Sequence, residues 1–246
     1  MPRVLRPSCL LFVAFLVFAP VAPAFAQQGQ QENELDMVYL GASWMQRAAF
    51  LFSQDAATDL GVKVNFWQRN AGGQVAIATA KLAAGGQWDI VDDADILLIM
   101  LTGNFGRRVG YCLDTPSEEP FSESPEQLRK EVEAFLAELD RNVDLTRTMV
   151  RIGLPAVKPH FKAQWVERDL VAECGREWNA LLDQWREAAP GYGIPVIDVT
   201  RAWNGSEAIL DSPAELFVAD LVHLNEQGAE AVAELIRAGG YAPLAR

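Results

Sequence analysis

Along the chain, short apolar runs alternate with longer stretches in which apolar residues recur every three or four positions. Five runs read as strands: Met37 to Leu40, Val62 to Phe66, Asp95 to Leu101, Thr148 to Leu154 and Ile194 to Val199. The stretches of helical period are Trp44 to Thr58, Gln74 to Ala84, Pro125 to Arg141, Val166 to Ala188 and Glu226 to Ala238. Continuous apolar strands separated by amphipathic helices are the pattern of a parallel sheet covered on both faces. The expected fold is therefore α/β, a three-layer α/β/α sandwich with a five-stranded, mainly parallel sheet.

Local punctuation supports these boundaries. Ser124 before Pro125 combines a capping residue with proline at the first helical position, Asn225 caps before Glu226, and Pro190-Gly191 closes the fourth helix. Between Phe105 and Ser124 lie about twenty residues without periodicity, a length that in a compact domain marks a functional loop or disorder.

The N-terminus follows a different logic. Arg3 and Arg6 precede an apolar run from Leu10 to Val17, and Ala24-Phe25-Ala26 offers a small-x-small cleavage site before Gln27. Residues 1–26 read as a secretory signal peptide, 27–36 as a polar, disordered leader, and 37–246 as one domain. The run falls short of the about 20 residues that span a bilayer, so no stable membrane insertion is expected after cleavage. Cys9 precedes the apolar run, the wrong side for a lipid anchor. The expected location is periplasmic or secreted.

Charge narrows the partners. The chain has 21 basic and 33 acidic residues; losing Arg3 and Arg6 with the leader leaves 19 against 33, a charge of −14. Nucleic acid and anionic membrane are poor partners for such a chain. Cys112 and Cys174 remain, and an oxidising compartment allows them to pair.

In an open parallel sheet, ligands bind at the carboxyl ends of the strands; three strand ends carry polar candidates, and a fourth segment lies before the last helix. Ser43 follows the first strand in Gly41-Ala42-Ser43, either as a helix cap or as a hydroxyl exposed above the sheet. Gly72-Gly73 follows the second strand, as a plain loop or as a backbone N–H turned into the crevice. Asn104 follows the third, as a turn residue or as a side-chain donor. Asp220 stands three residues before His223, a spacing that lets a carboxylate hold Nδ1 and leave Nε2 for a serine proton. His160 has Lys158 nearby instead of an acid, and neither histidine has the company of a zinc site, so no metal or organic cofactor is expected.

These four segments, in this order, resemble the SGNH hydrolases, also called GDSL esterases, over about Met37 to Ile236. The resemblance implies a flavodoxin-like SGNH fold and a serine esterase acting on carboxylic esters, acyl or acetyl, of small molecules or glycans. It implies Ser43 as nucleophile, His223 with Asp220 as the base pair, and an oxyanion hole from the Ser43 and Gly73 N–H groups and the Asn104 amide. Trp44 beside the serine, and Arg107 with Arg108 and Tyr111 in the long loop, are candidate substrate contacts; tryptophan at a helix start also serves as core. The chain departs from the family pattern at Ala42 and Phe105, where relatives carry aspartate. Two other readings share the fold: a catalytically weakened binding protein, and an O-acyltransferase with a polysaccharide acceptor.

Overall fold

Strand β1 (Glu34–Gly41) lies inside a five-stranded sheet, between β2 (Lys63–Arg69) and β3 (Ile96–Met100), with β4 (Met149–Leu154) and β5 (Val196–Asp198) completing the order 2-1-3-4-5. Every pairing is parallel, so the sheet is wholly rather than mainly parallel. The computed structural model describes residues 34–101, 124–156, 168–207, 212–219 and 223–244. Cys112, the side chain of Cys174, His160, Asn104, Phe105, Arg107, Arg108, Tyr111, Asp220 and the N-terminal leader through residue 33 lie outside them.

Alternation along the strands divides the core into two clusters. Val38 and Leu40 of β1, with Leu97 and Ile99 of β3, face α2 (Val75–Ala84), α4 (Pro125–Asn142) and α5 (Arg168–Ala188). Met37 and Tyr39, with Ile96 and Leu98, face α1 (Gln46–Leu60) and α7 (Glu226–Ala238). All five β3 residues are buried, as expected of a central parallel strand covered on both faces. The helices owe their place to apolar stripes: Leu128, Val132, Phe135, Leu136 and Leu139 are the buried positions of α4. Ser124 Oγ accepts from the Gln127 N–H at 3.2 Å, the cap expected from sequence.

Each difference from the sequence reading has an identifiable physical cause. β1 starts at Glu34, inside the stretch read as leader: Leu35 and Asp36 pair with Val64 and Asn65, and Asn65 Nδ2 donates to both Glu34 and Asp36. β5 stops at Asp198 and not at Val199, because the Asp198 side chain accepts from the Arg201 N–H at 2.9 Å and starts α6 (Val199–Asn204). α5 gives way after Ala188 to a 3₁₀ turn (Ala189–Tyr192), which Gly193 ends at φ 70°. A short α3 (Asp89–Asp92) precedes β3. Among the described residues, no helix is long and apolar enough to cross a membrane.

Phe135 is fully buried and packs edge-on against Trp185 at 5.9 Å, joining α4 to α5. Phe135→Ala should lower the unfolding free energy by about 3–5 kcal/mol, read by urea denaturation; a loss below about 1 kcal/mol would mean the interface collapses around the gap.

Candidate functional site

With strand order 2-1-3-4-5, the connection leaving β1 runs to one side, to β2, and the connection leaving β3 runs to the other, to β4, so the crevice opens between the carboxyl ends of β1 and β3. The segment after β1 stands there. It runs from Ala42 into a 3₁₀ turn, Ser43–Met45, before α1 begins at Gln46, so the helix expected from Trp44 opens with one tighter turn. Neither cap position, Ala42 before the 3₁₀ turn nor Met45 before α1, makes a side-chain cap bond. The Ser43 hydroxyl is thus not a helix cap; it is exposed, and Oγ lies 2.9 Å from His223 Nε2.

His223 reaches Ser43 from a segment fastened at both ends. Phe217 and Leu224 form an antiparallel bridge, and the Val218 N–H donates to the His223 carbonyl at 2.9 Å. Asn225, immediately after, does two things at once. Its Oδ1 accepts from the Gly228 N–H at 3.0 Å to cap α7, while its amide donates to the carbonyls of Glu215 and Phe217. The Asn225 N–H adds a bond to the Leu216 carbonyl at 3.0 Å. Gly228 permits this packing, since a Cβ there would fall 2.1 Å from the Leu216 oxygen.

An aromatic chain ties the serine turn to the histidine segment. Trp44 sits 6.3 Å from Trp203 of α6, and Trp203 meets Phe217 edge-on at 6.0 Å. Trp44 is 9% exposed and also lines the cleft, so it is core on one side and site wall on the other.

The cleft in front of Ser43 has a volume of about 430 Å³ and is lined by Ser43, Trp44, Gln46, Arg47, Phe50, Phe66, His223 and Leu224. Phe50 and Phe66 meet edge-on at 5.7 Å and supply an apolar wall. Arg47 pairs with Glu226 at 3.2 Å between the starts of α1 and α7; both side chains are well exposed, so the pair adds little stability. Gln46, Arg47, Phe50, Phe66 and Leu224 were not singled out from sequence. A signal existed in part: Ser43 in the turn before α1, and Arg47 and Phe50 in its first turns, are spaced four and three apart.

Gly73 follows β2, whose strand pairs with β1, and it is buried at φ 76° without lining the cleft. The Gly72 N–H is engaged by Asn70 Oδ1 at 2.6 Å. The Gly73 N–H has no backbone acceptor among the described residues. Of the residues expected at the site, the structure brings together Ser43, His223 and Trp44, and puts Gly73 on the neighbouring strand end.

A family model described as GDSL-like Lipase/Acylhydrolase matches residues 45–236, a span that begins just past Ser43 and includes Gly73, Asn104, Asp220 and His223. The chain is similar in structure to the lipase Lip_vut3 from a goat rumen metagenome, with a TM-score of 0.64 and 20% identity over 85% of this chain and 99% of that one. At that identity the likeness is one of fold. No curated protein matches in sequence.

The Gly228 contact gives a direct test of the histidine segment. Gly228→Ala should destabilise the protein by about 1–3 kcal/mol in urea denaturation, against the gain of up to about 1 kcal/mol that alanine brings to an unconstrained helix. A net gain would mean that Leu216 yields without cost.

Proposed function

Because the chain belongs to the GDSL-like lipase/acylhydrolase family, a family of ester-hydrolysing enzymes, we propose that it is a serine esterase with Ser43 as nucleophile and His223 as general base. The observation that carries this reading is the 2.9 Å approach of Ser43 Oγ to His223 Nε2 above the switch in strand order. An exposed serine hydroxyl within hydrogen-bond reach of an imidazole is the arrangement nucleophilic catalysis requires.

In this mechanism Oγ bonds to the ester carbonyl carbon as its proton passes to Nε2. The imidazolium then returns that proton to the departing alkoxide, and water attacks the acyl enzyme by the same route. Asp220 is the residue we assign to hold Nδ1 and the tautomer. The oxyanion is assigned to the N–H groups of Ser43 and Gly73 and the amide of Asn104. For Gly73 over Gly72 the support is that Asn70 already occupies the Gly72 N–H. The free N–H groups at the start of a helix also favour developing negative charge.

The Phe50 and Phe66 wall suits an apolar acyl group of modest size, acyl or acetyl, on a small-molecule or glycan alcohol. The apolar run from Leu10 to Val17 and the small residues at Ala24 and Ala26 support export to a periplasmic or extracellular location.

A fluorophosphonate probe should label the wild-type chain, and Ser43→Ala should abolish labelling. Ser43→Ala and His223→Ala should each lower hydrolysis of a short acyl ester by about 10⁴-fold or more. Asn104→Ala should cost roughly 10²–10³-fold in kcat. A wild-type chain that neither takes up the probe nor releases the alcohol would sink the esterase reading.

A further inference from the structure

We propose that the Tyr39 hydroxyl is a positioning group that sets the direction of the Ser43 N–H, the backbone donor assigned above to the oxyanion; this role rests on the esterase reading. The starting point is that neither residue at the cap positions of the serine turn and of α1, Ala42 and Met45, makes a side-chain cap bond, so the backbone at the head of the turn has no cap of its own. Its internal bond is that of the Gln46 N–H to the Ser43 carbonyl.

Support comes from the strand beneath. Tyr39 belongs to the face of β1 that packs on α1 and α7, and its side chain is fully buried. Its hydroxyl donates to the Ala42 carbonyl, three residues ahead, at 2.5 Å. A Cβ at position 41 would fall 2.6 Å from that hydroxyl oxygen and 2.7 Å from the Met100 carbonyl, so Gly41 leaves the space the phenol fills. Burial pushes the phenol far above the usual tyrosine range, while the nearby Met45 N–H opposes this in part, so the group stays a donor at any working pH. Met45 in turn packs where Gly153 of β4 lacks a side chain.

The geometric step is short. The Ala42 carbonyl and the Ser43 N–H belong to one peptide unit, which is planar and trans, so they point in opposite directions. Holding the carbonyl down against Tyr39 turns the Ser43 N–H away from the buried phenol, toward the crevice. A peptide whose oxygen already accepts a strong bond is also a better donor through its N–H. A donor aimed at the oxyanion acts in the transition state and not on the bound ester, so its loss appears in kcat and not in KM.

Tyr39→Phe keeps the ring and removes the donor. Counted per active site titrated with fluorophosphonate, its kcat should fall roughly 10-fold or more, below the full loss of an oxyanion donor, with KM for a short acyl ester within about twofold. Replacing Tyr39 by p-aminophenylalanine, which restores a donor at the same place, should recover most of the lost kcat. A kcat within about twofold of wild type in Tyr39→Phe, or a KM-only effect, overturns the role whatever the melting temperature does. If Tyr39→Phe does not fold, the p-aminophenylalanine protein decides: near wild-type kcat supports the role, and a folded but slow enzyme overturns it. Amide exchange at Gln46 separates this proposal from the esterase reading. Faster exchange in Tyr39→Phe supports the anchor even if the wild-type chain proves to be no esterase, and equal exchange overturns it.

Discussion

The parallel pairing of β1 with β2 on one edge and β3 on the other is the constraint from which the site follows. It puts the exit of β1 at the point where the connections diverge, so the residues that come next border the crevice. The same pairing buries Met37 through Leu40 completely, which makes β1 a rigid support rather than a flexible arm. Ser43 is therefore exposed on a short turn whose foundation is among the most buried parts of the chain, which holds its hydroxyl on a rigid support.

Two further fastenings bring the histidine to that turn from 180 positions away. One is polar: Asn225 caps α7 and gathers the carbonyls of Glu215 and Phe217, so the start of the last helix and the segment before His223 move together. The other is apolar: the Trp44, Trp203 and Phe217 rings link the serine side to the histidine side without hydrogen bonds. Aromatic contact of this kind is worth about 0.5–1.5 kcal/mol per pair beyond burial, enough to bias loop geometry.

Glycines shape the site by subtraction. At Gly41 and Gly228 a methyl group would collide with backbone oxygens, those of Met100 and Leu216 respectively. Each lets one chain segment approach another more closely than any side chain permits. The space they leave is filled by groups that hold neighbouring segments in place, the Tyr39 phenol at the first and the carbonyl that receives the Asn225 N–H at the second.

How much of this could be read without coordinates follows from the range of the interactions. The five strands, the long helices and the Ser124 and Asn225 caps were legible because periodicity and capping are local, set by residues within a turn or two of each other. Ser43 and Gly73 were legible as strand-end candidates and His223 as the partner of an acid before the last helix, and resemblance to a family gave them roles. The strand start at Glu34 was not legible, because its bonds go to Asn65 and Lys63 on another strand. Ser43 alone could equally have been a helix cap; only the tertiary fold, by bringing His223 to 2.9 Å and leaving the turn uncapped, decided otherwise. The cleft wall of Phe50 and Phe66, and the phenol under Ala42, came the same way. Sequence by itself determined which residue types stand at the strand ends. Which of them meet, and what holds them, depended on contacts between distant segments that no local pattern encodes.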